Sequence, residues 1–336
     1  MAATHKALVL HSNDTPLKLE TLPRPTASTG DAIVRILAAD IVPYMGEVLD
    51  GRRPYPLSLP MTPGNTAIGR IDSVGPDSVS LQPGQLVLCD ITIRARDNPA
   101  VSILYGIHGG GYPAAQKLMD NVWRNGTYAE YARFPLENLY PLNEELLLGS
   151  NKLGYTINDL CLMPVCLVPF GGLSEVDVKP GEVVIVAPAT GRLRTVRLIG
   201  DAAADTAAFR AAAGKPDGAD VYIDFSPPAA EGSGLLALGV SALRPFGRCV
   251  VMGGMSGDIR FPYLEIMFKS IRIQGRFMYD RKHVVQFLRM VEAGLLPLGD
   301  KAGVVHTEEF GLEEIGQALE AAAKLTGWGS HVVLKP

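Results

Sequence analysis

This chain of 336 residues is poor in several features that would narrow its function. It has four cysteines, Cys89, Cys161, Cys166 and Cys249, and a chain of this size in a reducing compartment has no need to pair them. The Cys161/Cys166 spacing suits zinc badly and no paired histidines stand nearby, so buried free thiols are expected. There is no Lys/Arg-rich run, and a formal charge of −4 gives no electrostatic case for nucleic acid or an anionic membrane. The opening "MAATHKALVL" has no signal-peptide core, and no apolar run is read as long enough to span a bilayer. A cytoplasmic globular protein with a small-molecule substrate, and no nucleic-acid or membrane partner, is the resulting expectation.

What is present is a large apolar fraction, 47%, punctuated by 36 glycines and 25 prolines, enough for two domains or one large one. Short β-prone runs fill the first third: Lys6–His11, Leu17–Leu22, Asp31–Ala39, Thr66–Val74, Gln85–Asp90 and Thr127–Phe134. Their spacing predicts a barrel-like β domain. Between them, Thr92–Arg124 reads as a long irregular insertion, the kind of segment that forms a lid, a lobe or a binding surface. After Gly154 the pattern becomes α/β. An apolar helical stretch, "INDLCLMPVCLVPFGGLSEV", precedes strands at Val183–Ala187, Val196–Ile199, Val221–Phe225, Arg248–Met252 and Ile271–Gly275. Helices are predicted at Ser233–Leu243, after Asp280 with Val284, Leu288 and Val291 on one face, and at Leu312–Leu325, before a final strand His331–Leu334. Alternating strands and helices predict a mostly parallel sheet.

Four segments, "PMTPGNTAIGRIDSVGPDSVSLQPGQLV" (60–87), "GTYAEYARFPLENLYPL" (126–142), "VKPGEVVIVAPATG" (178–191) and "LRPFGRCVVMGG" (243–254), carry a resemblance. With His306–Ile315 and "GWGSHVVLKP" (327–336), they make the chain similar to the medium-chain dehydrogenase/reductase superfamily over nearly its whole length. "RARDNP", "YGIHGGG" and "GRFMYDR" resemble its zinc-independent fungal branch of alcohol-dehydrogenase-like and quinone-reductase-like proteins. The resemblance implies an α/β protein with two domains. The first is a GroES-like β-barrel domain at 1–150, completed by 295–336. The second, at 151–294, is a truncated Rossmann-like doubly wound parallel sheet.

The resemblance also implies site residues. Where zinc-dependent members keep a Cys and a His, this sequence has Val42 and Asn65, neither a useful zinc ligand, so no metal is expected. Tyr44 stands about where zinc enzymes keep the hydroxyl of their proton relay. A phenol there can donate to a developing enolate oxygen; the plainer reading is a half-buried Tyr lining a cleft. His108, between flexible glycines, and Asn65, beside Gly64, are further polar candidates, with a surface His and a turn residue as the plain readings. Tyr279 completes the set. On the cofactor side the implied residues are Thr190 and Gly191, then Ser226 and Pro227 in "DFSPP", then Gly253, Gly254 and Met255 in "MGGMSG".

One stretch departs from the family. Val186 and Val196 are separated only by "APATGRLRT", too short for a crossover helix between parallel strands. The first crossover helix and second strand are therefore read as excised, with Thr195–Ile199 as the family's third strand joined directly to the first. Without a helix N-terminus behind the turn, the pyrophosphate site is weakened. Arg192, Arg194 and Arg197 read first as surface charges and second as replacement phosphate contacts.

Three functions remain open: an NAD(P)H-dependent, zinc-independent reductase or dehydrogenase of a small, fairly hydrophobic carbonyl, enone or quinone compound; a cofactor-independent cyclase, isomerase or dehydratase using a cleft between the domains; and a catalytically dead homologue. The apolar expectation rests on Ile103, Leu104, Tyr105 and Tyr112 of the insertion. By resemblance, the edge strand Ile271–Gly275 implies a homodimer.

Overall fold

Residues 3–188, 195–325 and 327–336 are described from a computed structural model. The chain divides into two compact units, Met1–Val165 with Val285–Pro336, and Cys166–Val284. In chain order the strands are β1 (Thr4–Val9), β2 (Lys18–Pro23), β3 (Asp31–Asp40), β4 (Ala67–Val74), β5 (Leu86–Cys89), β6 (Thr92–Arg94), β7 (Ser102–Leu104) and β8 (Tyr131–Pro135). They continue with β9 (Leu139–Pro141), β10 (Val184–Ala187), β11 (Ala219–Asp224), β12 (Leu243–Val251), β13 (Arg272–Gly275), β14 (His306–Gly311) and β15 (Ser330–Lys335). The helices are α1 (Met45–Leu49), α2 (Pro113–Asn121), α3 (Glu144–Leu148), α4 (Ile157–Leu160) and α5 (Met163–Glu175). After them come α6 (Ala202–Ala213), α7 (Leu235–Ser241), α8 (Tyr263–Lys269), α9 (Arg281–Glu292) and α10 (Ile315–Ala323).

In the first unit β3 is the hub. Only Arg35 and Leu37 escape full burial along it, so its apolar residues serve both faces. It pairs antiparallel with β4, with β8 along its first half and with β15 at Ala39 and Asp40. The sheet runs β14-β15-β3-β4-β5-β9, with β8 attached to β3. The insertion at 92–124 is not irregular. It holds the β6–β7 hairpin and α2, which starts at Pro113, where a missing N–H costs nothing. Ile93, Ile103, Tyr105, Ala115 and Met119 are all buried. The apolar residues of this segment are thus taken up by the fold: Tyr105 packs on Phe134 of β8 with ring centres 4.5 Å apart and donates its hydroxyl to the Arg133 carbonyl at 2.7 Å.

In the second unit four parallel strands lie in the order β10-β11-β12-β13. Successive residues serve opposite faces. Tyr222 and Cys249 pack with Phe209, Leu236 and Val240 of α6 and α7, while Val221, Ile223 and Val250 pack with Leu173 and Val176. Helix α5 comes close to the sheet because Gly172 has no side chain; a methyl there would overlap Met252 and Ile223. The stretch Ile157–Glu175, 19 residues long, does have the length and apolarity of a membrane span, with a mean hydropathy of 1.4 over an 18-residue window, which corrects the expectation that none exists. Its Leu160, Leu162, Met163 and Leu167 are buried in the fold, as in the core helix of a globular unit.

The segment read as the site of an excision lies partly outside the described residues, since 189–194 are among those left out. The segment on its C-terminal side differs from expectation. Residues 195–199 form no strand. Instead the N–H groups of Ile199 and Gly200 donate to the two carboxylate oxygens of Asp205, at 2.9 and 3.0 Å. Asp201 then caps α6 by accepting from the Ala204 N–H, and Gly214 ends the helix in the left-handed region. A β-branched run becomes a strand only beside a neighbour that takes its backbone groups. Among the described residues none pairs with this one, and it serves as the lead-in to a helix. Among the described residues, α6 is the helix that lies between the parallel strands β10 and β11 in the chain. No described strand lies on the far side of β10.

Candidate functional site

Tyr44 follows the end of β3 and sits at the N-cap position of α1. The chain leaves α1 through "DGRRPYPL", whose two prolines hold it extended. The Arg53 N–H donates to the Glu47 carbonyl at 2.8 Å, which turns this loop back over the start of the helix. The guanidinium carbon of Arg53 then lies 4.0 Å from the centre of the Tyr44 ring and 5.1 Å from that of Tyr55. Tyr55 meets Tyr44 edge-on at 6.4 Å and His108 edge-on at 4.6 Å. A donation from the Gly109 N–H to the Pro56 carbonyl, at 2.8 Å, ties the His108 turn to the same loop.

Two residues expected from the sequence, Tyr44 and His108, are thus brought into one cluster. Two unexpected ones, Arg53 and Tyr55, join them. Arg and Tyr flanked by prolines in a short loop was the available signal.

Burial pushes the Tyr44 phenol up to about 12; Tyr55 adds to the effect, Arg53 opposes it and Asp40 reinforces it. Burial lowers His108. Its Nδ1 accepts from the Gly110 N–H at 2.9 Å, which leaves the ring proton on Nε2. Arg53 has no carboxylate partner among the described residues. Its Nε is enclosed without any hydrogen bond, whereas the neighbouring Arg52 pairs with Asp50 at 2.8 Å. Behind the cluster, Asp40 bonds His331 at 2.7 Å in the interior, and the Tyr128 hydroxyl donates to the Asp40 carbonyl at 3.3 Å.

The other candidates are each described within their own unit. Asn65 is buried and accepts the N–H of Thr66 at 2.8 Å, which engages its carbonyl locally. Tyr279 belongs to the second unit and is enclosed against Gly171 of α5. Thr190 and Gly191 lie outside the described residues, as do Arg192 and Arg194, while Arg197 is exposed. Ser226 is buried and donates its hydroxyl to Asp224 at 2.6 Å. Its carbonyl accepts from the Gly254 N–H at 2.9 Å, so the loops after β11 and β12 are laced together. Pro227, Gly253 and Gly254 are exposed on them and Met255 is half-buried. Space beside Gly253 is taken up by Ser226 and Asp224.

Open sheets bind dinucleotides where the strand order reverses, since only there do adjacent loops part to opposite faces. Here the order runs one way, and the crossovers through α6, α7 and α8 all pack on one face. On that side Leu198, Asp205, Arg210, Ser233, Leu238 and Glu265 line a cavity of about 1000 Å³. As for zinc, no group of three His, Cys, Asp or Glu lies together among the described residues, and Val42 and Asn65 supply no metal-binding atom of the usual kind. The residues present do not fit it.

Comparison with known proteins places both units. Residues 28–144 match the alcohol dehydrogenase GroES-like domain, and residues 180–293 match the zinc-binding dehydrogenase family. The alcohol dehydrogenase of Moraxella sp. (strain TAE123) is 24% identical over 86% of this chain and 89% of its own. The L-threonine 3-dehydrogenase of Anaeromyxobacter dehalogenans is 20% identical over 98% of each. Among solved structures, alcohol dehydrogenase TADH from Thermus sp. ATN1 superposes with a TM-score of 0.75 at 18% identity, covering 98% of this chain and 99% of that one. The short chain alcohol dehydrogenase (rspB) from E. coli CFT073, complexed with cofactor NADH, gives 0.74 at 16% identity over the whole of both chains.

Proposed function

We propose that this chain, which belongs to the medium-chain dehydrogenase/reductase superfamily, is a zinc-independent reductase or dehydrogenase of a small carbonyl, enone or quinone compound. The Tyr44 cluster carries the reading. With no zinc to polarise it, the substrate oxygen needs a proton donor, and a phenol raised to about 12 is protonated throughout the neutral range. No described side chain hydrogen-bonds the Tyr44 hydroxyl, which leaves it for a ligand. As Tyr44 gives up its proton, the Arg53 cation over its ring offsets the negative charge that develops. Neutral His108, two rings away, offers an Nε2–H as a second donor.

NAD(P)H is the hydride source of such a reaction. Ser226, Pro227, Gly253, Gly254 and Met255 are the residues that would flank its nicotinamide, while the adenosine side has no counterpart strand among the described residues. That one-way strand order favours a second reading, cofactor-independent cyclisation, isomerisation or dehydration on the same Tyr44 cluster. Calorimetric titration with NADPH and NADH separates the two. Heat and a thermal shift support the redox reading; neither at millimolar cofactor sinks it.

The unpaired edge of β13 is also the proposed seam of a homodimer. Tyr263, Leu264 and Phe268 of the preceding α8 are exposed beside it in sequence. A mass of one chain in light scattering would overturn this.

A further inference from the structure

We infer that Arg53 is a specificity residue that selects a carboxylate-bearing substrate, so that the compound acted on is a keto or enone acid rather than a neutral carbonyl. This rests on the reading of Tyr44 as the group that serves the substrate oxygen. A guanidinium withdrawn from water is ordinarily paired with a carboxylate, because an unpaired buried charge is costly. Arg53 is half-buried, its Nε is enclosed with no acceptor, and no described residue takes a hydrogen bond from its side chain. What holds it instead is two aromatic faces, at 4.0 and 5.1 Å. These contacts hold the cation in place, and with Nε enclosed its two terminal Nη groups remain as the donors for a two-point contact with a carboxylate.

The ligand's charge can be read from the surroundings. Arg52, the adjacent cation, is engaged by Asp50. Tyr44 and His108 beside it are neutral, since burial raises the one and lowers the other, and the Asp40 carboxylate that acts on Tyr44 is bonded to His331. A single unpaired positive charge matches one carboxylate better than a doubly charged phosphate. Because the cation lies over the ring of Tyr44 itself, the anion it holds and the oxygen served by the phenol belong to one small molecule.

Binding, not turnover, is the test, so that the result stands whether or not the chain uses NAD(P)H. Pyruvate, levulinate and benzoylformate are titrated calorimetrically against their neutral amides, with wild type, Arg53→Gln and Arg53→Lys, and with inorganic phosphate as competitor. Thermal unfolding of each variant checks that it is folded. The expected result is at least one carboxylate binding about tenfold or more tightly than its amide, a preference abolished by Arg53→Gln and partly kept by Arg53→Lys. Failure of every carboxylate to outbind its amide, or a preference that survives Arg53→Gln, overturns the proposal; so does phosphate binding more tightly than all three acids. Loss of NAD(P)H turnover with the carboxylate preference intact would strike the redox reading alone.

Discussion

The imidazole Nε2 of His331 lies 2.7 Å from a carboxylate oxygen of Asp40, 291 positions earlier in the sequence, with both side chains enclosed. The contact joins β15 to β3 at the one place where they pair, Ala39 and Asp40 with Leu334 and Val333.

Removing one partner leaves a buried polar group unmatched. His331→Ala is expected to cost about 3 kcal/mol of stability, read as a lower urea midpoint. Pairing it with Asp40→Asn should recover part of that loss. Additive losses in the double variant would show that the two groups do not act as a pair.

Tyr44→Phe removes the proposed donor and little else, because the ring and its stacking on Arg53 remain. Turnover of the carbonyl substrate should fall by about 10² or more, with unfolding changed by less than about 1 kcal/mol. The phenol, raised to about 12, stays protonated as pH rises through neutrality. A wild-type rate that needs it should therefore show no alkaline loss below about pH 9. An equally active Tyr44→Phe protein would remove Tyr44 from the chemistry.

Asp220 at the start of β11 is an acid-sensitive point of the second unit. Burial raises its carboxyl, but bonds from Lys215 at 2.7 Å, the Val183 N–H at 2.8 Å and Arg244 at 2.5 Å outweigh it and hold the group well below the usual carboxylate range. A depressed folded-state value means the stabilisation is complete above the unfolded value of about 3.9 and is lost as pH falls toward the folded one. Asp220→Asn should lose roughly 2 kcal/mol at neutral pH, and the gap to wild type should narrow below about pH 4. Urea midpoints at both pH values measure this.

The four thiols should be slow to react. Burial raises all of them, Cys166 to about 11 and Cys249 to about 12. Since the thiolate is the reacting form, Ellman's reagent should label the folded protein slowly and all four residues promptly in guanidinium. Rapid labelling of Cys166, the one that is not fully buried, would show a more open α5.

Much of the architecture was legible because short β-branched runs and turn residues act locally. The four strands of the second unit fall where those runs stand. The misreading of residues 195–199 came from the same rule: their β-propensity is real, but propensity gives no neighbour, and without one the backbone turned to Asp205. Helix α6 then went unseen, although Asp201, an alanine-rich run and Gly214 mark it plainly. The Tyr44 cluster was half legible. Tyr44 and His108 were visible through resemblance, whereas Arg53 and Tyr55 matter only because a proline-held loop folds back, which no periodicity reports. The opposite holds for Ile103 and Tyr105, whose apolar character hinted at a hydrophobic substrate but whose side chains are buried in the fold, Tyr105 against Phe134.

The pairing of β15 with β3 also bears on the order in which the chain acquires its structure. On a ribosome, parts usually fold as they emerge, the earlier ones first. Here the second unit is one continuous stretch, Cys166–Val284, while the first draws on both flanking stretches. Strand β3 therefore emerges early; Ala39 can pair with Ala67 of β4, but the opposite edge at Ala39 and Asp40 must wait for its neighbour until residues 330–335 have been made. The continuous unit can be complete before the other one closes, and until then this short edge of β3 is open to pairing with another strand.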